Sequence, residues 1–294
     1  MSQTCEQQGN HSRAVRITNA RNKFRNYIGR DQLEFRDITS ELISRYEKHL
    51  KQSGLTDNTV SYYMRILRSI YNTAVDQNIV TQQYPFKKVY TGICKTVKRA
   101  LIFKDIERIS RYNLSDRPRY ALARDIFILS FLLRGISLID LLNLTPNNFH
   151  GGYVTYRRRK TGQQLTIKWE DRMQLQYDRI CSLYSLIYNK EVSGLFPSVI
   201  FGQSKFQVSR SVNSFTHFLD DRLKQIGREL DLPIPLTMYV ARHSWASIAR
   251  DKHISLAVIS EGLGHDNERT TQIYLSSIDT ITLDAANRKV FEGI

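Results

Sequence analysis

Four short segments in the C-terminal two-thirds of the chain contain side chains that suit chemistry at a phosphodiester. Each combines cationic, imidazole, carboxylate or phenol groups with small polar neighbours, the side-chain types that hold, protonate or attack a phosphate. The segments are FLLRGISLIDLLNL with Arg134, Ser137 and Asp140; YRRRKTG with Lys160; LTMYVARHSWAS with Tyr239, Arg242 and His243; and LGHDNERTTQIY with His265 and Tyr274.

The chemistry follows from the side-chain types. An arginine presents a planar fork that matches the nonbridging oxygens of a phosphodiester, and phosphoryl transfer depends largely on positioning and on neutralising charge at these oxygens. Arg242 suits this role together with one further arginine. His265 could donate a proton or a hydrogen bond, and Lys160 could protonate a leaving oxygen. A tyrosine hydroxyl can attack phosphorus and form a covalent intermediate. No step requires a metal, and the sequence offers no carboxylate cluster or thiolate set to hold one.

Taken singly, these residues are weak signals, since the chain has 16 tyrosines and a histidine after glycine is often a cap or a packed ring. Their order and spacing carry more weight. The LGH of residues 263–265, then a Thr-Thr pair, then Tyr274 nine residues after His265, resembles the signature of the tyrosine recombinases. This is the phage integrase family of site-specific DNA recombinases. The resemblance covers roughly residues 10–285.

The resemblance implies a role for each matching residue. Tyr274 matches the nucleophile, and His265 matches the histidine that precedes it. Arg242 matches the second arginine, in the family's His-x-x-Arg box, and Lys160 matches the lysine of the β-hairpin. The family also implies a C-shaped clamp around duplex DNA and a tetramer on two DNA sites, with roughly residues 279–294 docking onto a neighbour. A 3′-phosphotyrosyl intermediate keeps the bond energy, so no cofactor is expected.

Two positions depart from the family's pattern. Tyr239 replaces the histidine of the His-x-x-Arg box. A phenol can hydrogen-bond a phosphate oxygen, but its pKa of about 10 leaves His265 or water to accept the nucleophile's proton; alternatively, Tyr239 only packs. When the segment is aligned with the family's pattern at Asp140, Ser137 falls where the family has its first arginine. We expect one helical turn to put Arg134 and Ser137 on one face, so that Arg134 reaches the phosphate and Ser137 adds a hydroxyl or nothing.

The neighbouring polar residues are expected to support these groups. Asp140 is interpreted as a buried partner that orients Arg134 or Lys160, or as a helix-end cap, and His243 as a structural or orienting residue. Other basic residues are expected to bind DNA phosphates, which adds affinity without reading sequence. These are Arg65, Arg68, Lys87, Lys88, Lys95, Lys98, Arg99, Arg157, Arg158 and Arg159.

The N-terminal part of the chain is predicted to be helical. Apolar residues recur at three- and four-residue spacing from residue 13 to 30. Two further helices are predicted after Thr39 and Thr56, which suit N-cap positions, ending near Gly54 and Gln77. Short connections between amphipathic helices predict a small bundle of four or five helices.

The rest of the chain is predicted to be mainly helical with a small antiparallel β-sheet. Residues 81–100 break the helical period and are rich in basic residues, which favours a linker along a phosphate backbone or simply a solvated connection. Residues 153–169 alternate like two strands around a glycine-containing turn. We therefore expect a helical core-binding (SAM-like) DNA-binding domain at 1–92, a basic linker at 93–103 and the tyrosine recombinase catalytic domain at 104–294.

The charge of the chain points to a polyanionic partner. The 294 residues carry a formal charge of +15 with a pI near 9.8, which is typical of nucleic-acid binders but also of some ribosomal or membrane-surface proteins. Residues 1–95 contain 15 Lys and Arg against 8 Asp and Glu, and residues 96–294 contain 28 against 20. Both parts are therefore expected to face the same double-stranded DNA, although two well-solvated domains would show the same balance.

Cysteine usage and hydropathy narrow the class of protein. Only 3 cysteines occur, far apart, which excludes a disulfide scaffold or a Cys-rich zinc site and suits a reducing cytoplasm. No apolar run approaches the length of a membrane span, and the first residues lack a signal-peptide core. We expect a bacterial cytoplasmic protein associated with the nucleoid and not with the membrane.

Several functions fit these observations. A site-specific recombinase could integrate, excise, invert or resolve a DNA element, and the helical start near residue 13 favours one without a separate arm-binding domain. A type IB topoisomerase would use the same chemistry to relax DNA. In a basic regulator or architectural protein, Tyr274 would merely be packed.

Overall fold

The computed structural model describes residues 11–29, 33–94, 99–188, 205–265 and 271. The chain forms two compact units, Met1–Thr96 and Val97–Ile294. Within the described ranges the elements are mainly α-helices with one small antiparallel sheet, so the predicted fold class is confirmed. None of the helices in these ranges has the length and apolar character needed to cross a membrane.

The first unit is a bundle of amphipathic helices. Its described α-helices are α1 (His11–Ile28), α2 (Ser40–Gln52) and α3 (Asp57–Asp76). The hydroxyls of Thr39 and Thr56 each accept a hydrogen bond from a backbone amide three residues on, as predicted for N-caps. The apolar faces meet around the fully buried rings of Tyr46 and Tyr71. The bundle was expected to have four or five α-helices, and the described ranges of this unit contain three.

The residues after α3 are bound to the first unit. The Asn58 side chain exchanges two hydrogen bonds with the backbone of Cys94, at 2.8 and 3.0 Å. Phe86 and Val89 are buried in the same core as α2 and α3. The described part of the predicted linker, residues 81–94, is therefore packed against the bundle, because these two apolar side chains anchor it.

The second unit is assembled around one buried helix. Its described α-helices are α4 (Phe103–Arg111), α5 (Pro118–Leu132), α6 (Leu138–Leu142), α7 (Asp171–Tyr188), α8 (Lys205–Glu229), α9 (Met238–Asp251) and α10 (Leu256–Leu263). Every residue from 121 to 130 of α5 is buried, and α5 packs against α4, α7, α8 and α9. A helix that is apolar on nearly all sides must lie inside the unit, which explains the strongly apolar run in the sequence.

A three-stranded antiparallel sheet lies between α6 and α7 in the chain. Its strands are β1 (Phe149–His150), β2 (Tyr153–Arg157) and β3 (Gln164–Lys168), in the order β1-β2-β3. Val154 and Tyr156 alternate with exposed or half-buried residues and face the core, as do Leu165 and Ile167 opposite them. The predicted hairpin is confirmed, and the structure adds the two-residue strand β1.

Candidate active site

Arg242 lies at the centre of the candidate site. It is on α9, which packs against α5 and α10, and only 5% of its surface is exposed. Its Nη1 donates to the carbonyl oxygen of Gly135 at 3.1 Å, and its Nη2 donates to the carbonyl oxygen of Leu263 and to Nε2 of His265, the latter at 3.1 Å. The guanidinium is thus held between the segment after α5 and the end of α10.

Gly135 allows this approach because it has no Cβ. Its φ is +71°, and a Cβ built there would lie 2.3 Å from Cα of Arg242. Only glycine combines a positive φ at little cost with such close contact to a neighbouring backbone. The glycine that follows Arg134 in the sequence therefore has a structural reason in the position of Arg242.

The end of α10 places His265. Gly264 is the helix C-cap in the left-handed conformation, with φ of 64°. The amide of His265 donates to the carbonyl of Ser260 at 3.0 Å, and the amide of Gly264 donates to that of Glu261 at 2.8 Å. This closure pattern ends the helix and turns the imidazole of His265 toward Arg242.

The hydrogen bonds of His265 fix its tautomer. A guanidinium carries donors only, so the Nε2 that faces Arg242 must accept. The proton of the neutral ring is then on Nδ1, which donates to Oγ1 of the fully buried Thr271 at 2.8 Å. Arg242, His265 and Thr271 thus form one continuous hydrogen-bonded chain.

The electrostatic environment keeps His265 neutral. Burial, followed by the positive charges of Arg242, Arg158 and Lys160, lowers the pKa of His265 to about 4. At neutral pH the imidazole is therefore an acceptor at Nε2. In this arrangement the ring donates through Nδ1, and whether it gives a proton to a DNA phosphate stays a prediction.

Lys160 lies in an exposed hairpin loop, as the sequence predicted. The loop joins β2 to β3 and is closed by two backbone hydrogen bonds, from Arg158 N to Gln163 O at 2.9 Å and from Gly162 N to Arg158 O at 2.8 Å. The Lys160 side chain is exposed, and its charge contributes to the lowered pKa of His265. The structure therefore brings Lys160 and His265 into one electrostatic environment.

Arg158 corrects one of the predicted DNA contacts. It is only 7% exposed, and its guanidinium donates to the carbonyl oxygen of Gly264 inside the unit. The neighbouring side chains of Arg157 and Arg159 are exposed. Strand alternation explains the difference, because Arg158 continues the inward-facing series of Val154 and Tyr156.

The expected helical turn from Arg134 to Ser137 is wrong. Helix α5 ends at Leu132, and Arg134 has a φ of +57°, so the chain turns before α6 begins. Ser137 is the N-cap of α6, and its hydroxyl donates to Oδ2 of Asp140 at 2.6 Å. The Arg134 stem instead passes α10, where its Cδ lies 3.7 Å from the position of a Cβ on Gly262.

Asp140 is buried, as one of its two interpretations requires, but its partners differ from those expected. Its Oδ2 accepts from the Ser137 hydroxyl, and its Oδ1 accepts from the backbone amide of Arg159 at 3.0 Å. Asp140 thus holds the backbone of the hairpin loop one residue before Lys160. These contacts place it beside the loop rather than on the guanidinium of Arg134.

Tyr239 and His243 lie together on α9. The Tyr239 side chain is 54% exposed, and its ring meets that of His243 edge-on with 4.8 Å between centroids. Tyr239 is one helical turn before Arg242, so its phenol is accessible near the candidate site. His243 supports the ring of Tyr239, which agrees with a structural role.

Two residues of the site were not among the sequence candidates. Thr271 was noted in the signature segment but was not assigned a role. Tyr156 is buried beside the charged cluster, where burial and then the negative charge of Asp140 raise its pKa to about 12 against the opposing effect of Arg242. The inward-facing position of Tyr156 on β2 was the available signal.

The remaining sequence candidates are distributed over both units. Exposed basic side chains are those of Arg68, Lys87, Lys88, Arg99, Arg157 and Arg159, whereas Arg65 is half-buried. Lys95, Lys98 and Tyr274 lie outside the described residues. In the described ranges, no group of three or more His, Cys, Asp or Glu side chains could hold a metal ion.

The chain is similar in sequence to curated tyrosine recombinases. The profile of the phage integrase SAM-like domain matches residues 1–89. The chain is 23% identical over 252 residues to the tyrosine recombinase XerD of Halalkalibacterium halodurans, covering 81% of this chain and 77% of that protein. It is 22% identical over 279 residues to a tyrosine recombinase of Pseudothermotoga lettingae, covering 91% and 88%.

Solved structures share the fold. A lambda integrase tetramer bound to a Holliday junction matches with a TM-score of 0.66 at 16% identity, covering 90% of this chain and 71% of that one. The Tn1549 transposon integrase in complex with transposon right end DNA also matches at 0.66, with 14% identity and coverage of 98% and 97%. The chain is thus similar to tyrosine recombinases (phage integrases) in sequence and to solved integrase structures in fold.

Proposed function

We propose that the chain is a site-specific DNA recombinase that cleaves and rejoins duplex DNA through a 3′-phosphotyrosyl bond to Tyr274. The observation that carries the proposal is the hydrogen-bonded chain from Arg242 through His265 to Thr271. Tyr274 is three positions after Thr271 in the sequence, a separation that spans no more than about 11 Å even when fully extended. This connectivity limit supports the proposal, because Thr271 is joined through His265 to the arginine that suits the scissile phosphate.

The first chemical step joins the Tyr274 oxygen to phosphorus and breaks the bond from phosphorus to the 5′-oxygen. Arg242 and Arg134 neutralise the charge on the nonbridging oxygens. The phenol proton passes to Nε2 of His265 or to water, and Lys160 protonates the leaving 5′-oxygen. A bound phosphodiester anion offsets the positive charges that lower the pKa of His265, which makes Nε2 more basic when DNA is present. In the second step, the 5′-hydroxyl of a partner strand attacks the phosphotyrosine and releases Tyr274.

The partner we propose is double-stranded DNA, bound by a tetramer that pairs two sites. Exposed basic side chains in both units support this, because contacts to phosphates supply sequence-independent affinity. Related structures of lambda integrase bound to a Holliday junction and of XerH bound to its difH substrate agree with such a partner. A DNA-bound protein of this kind would be associated with the bacterial nucleoid.

The test is to find the DNA to which the protein becomes covalently attached. The protein is incubated with sheared genomic DNA of its host and stopped with detergent, and DNA that remains attached after protein extraction is sequenced. We expect enrichment of a short inverted repeat with the wild type and none with Tyr274→Phe. An equal recovery of DNA by both proteins would contradict the proposal.

The pattern of attachment also separates the other functions. A type IB topoisomerase would give adducts scattered over many sequences and would relax a supercoiled plasmid that lacks the repeat. A regulatory or architectural protein would bind the repeat without any adduct. For a recombinase, the location and orientation of paired repeats distinguish integration or excision from inversion.

A further inference from the structure

The hairpin loop that carries Lys160 is fixed on two sides by buried contacts. On one side, the amide of Arg159 donates to Oδ1 of Asp140, which is only 5% exposed and is itself bound by the Ser137 hydroxyl. On the other side, the guanidinium of Arg158 donates to the carbonyl of Gly264. Lys160 directly follows these two anchored residues and is exposed.

The contact between Arg158 and Gly264 is built into the backbone. Gly264 has a φ of +64°, and a Cβ there would lie 2.7 Å from Cδ of Arg158 and 3.1 Å from Cδ1 of Leu165. The end of α10 therefore rests directly on the stem of Arg158 and on β3. A side chain at position 264 would separate the two segments.

The burial of Arg158 needs a reason other than stability. A buried cation loses its hydration, and hydrogen bonds to it compensate for that loss only when their geometry is good. Arg158 also adds positive charge beside His265, whose pKa it helps to lower. An apolar side chain would avoid this burial of charge, but it could not bond the carbonyl that precedes His265.

We propose that Arg158 is a positioning residue that couples the Lys160 loop to the turn bearing His265, with Asp140 holding the loop from the other side. This inference rests on the proposed function. Since His265 is bonded to Arg242, the coupling sets the leaving-group acid at a fixed distance from the phosphate-binding arginine. Loss of Arg158 should then impair protonation of the 5′-oxygen more than binding of DNA.

The test compares two leaving groups in single-turnover cleavage of the mapped site. One duplex has the natural 5′-oxygen, and the other has sulfur at that bridging position. A thiol with a pKa of about 8.5 leaves without a general acid, whereas an alkoxide needs one. We expect Lys160→Ala to slow cleavage of the oxygen duplex by about 10²-fold or more. The same variant should cleave the sulfur duplex at close to the wild-type rate. Arg158→Ala should show the same selective recovery, with a loss on oxygen of about 10² for a displacement near 1 Å.

Matched variants keep the test specific. Arg157→Ala removes the same charge from the adjacent exposed residue, so it should weaken DNA binding without changing the ratio of sulfur to oxygen cleavage rates. Gly264→Ala should reproduce the Arg158→Ala ratio because it opens the same contact from the other side. If Arg158→Ala does not fold, Arg158→Lys and Gly264→Ala provide the comparison.

The outcomes separate this inference from the function on which it rests. A wild-type rate on oxygen for folded Arg158→Ala would overturn the inference, as would an equal loss on both duplexes. If the wild type itself forms no adduct on either duplex, the proposed function fails instead. Recovery of cleavage on sulfur also shows that the variant is folded and binds DNA.

Discussion

Substitution of Gly135 by alanine should damage both stability and cleavage, because the new Cβ would meet the backbone of Arg242. The Cβ would lie 2.3 Å from Cα and 2.6 Å from Cβ of Arg242, whereas ordinary contacts begin at 3.4 Å. The left-handed conformation costs an alanine about 1–2 kcal/mol, and relief of the overlap costs about 1–3 kcal/mol more. The two segments must separate by about 1 Å, a displacement that can lower the rate of cleavage by about 10².

Gly151 provides a matched control for this prediction. It also has a positive φ, +57°, but a Cβ there meets nothing within 4 Å. Gly151→Ala should therefore show the conformational cost alone, about 1–2 kcal/mol. Urea unfolding gives the two losses in free energy of unfolding, and single-turnover adduct formation gives the two cleavage rates. If Gly135→Ala is no less stable than Gly151→Ala and cleaves DNA as fast, the Cβ at position 135 does not displace Arg242.

Three further predictions concern the neighbouring side chains. The contribution of neutral His265 to the free energy of unfolding should be complete above its unfolded pKa of about 6.5. It should fall by up to about 3 kcal/mol as the pH drops toward 4, because the unfolded state takes up the proton first. Urea titrations in which His265→Gln shows the same dependence of stability on pH would contradict this. Thr271→Val should cost about 1–3 kcal/mol of stability by leaving the Nδ1 proton unsatisfied, while Thr271→Ser should not, and ¹⁵N NMR of the ring should show loss of the Nδ1 hydrogen bond, with the proton still on Nδ1, only in the valine variant. Tyr239→Phe should slow cleavage by about 10-fold or more if its hydroxyl bonds the phosphate, and an unchanged single-turnover rate would show that Tyr239 only packs.

The local signals in the sequence predicted much of the fold. Thr39 and Thr56 are N-caps because their hydroxyls satisfy amides that no helix carbonyl can reach. The alternation through Val154 and Tyr156 predicted the hairpin because one face of a strand must be buried. Such features depend on residues within a few positions of one another, so they are legible without the tertiary structure.

Long-range contacts explain what the sequence did not predict. Arg158 was expected to face DNA because nothing nearby in the chain indicates that Gly264, more than a hundred residues later, supplies a carbonyl partner. Arg134 was placed on a helix because an apolar run gives no sign of its end, which here depends on Gly135 and the approach of Arg242. The role of Thr271 likewise becomes visible only when the imidazole of His265 lies against it.

Identification of the residue that becomes joined to DNA is the decisive test of the proposed cleavage chemistry. The trapped adduct is digested with nuclease and trypsin, and the peptides are measured by mass spectrometry. Residues 270–288 form one tryptic peptide in which Tyr274 is the single tyrosine. We predict that this peptide carries a nucleotide linked through its 3′-phosphate and that the modified peptide is lost in Tyr274→Phe. A nucleotide on any other residue, or an adduct that persists in Tyr274→Phe, would contradict the proposed role of Tyr274 as the nucleophile.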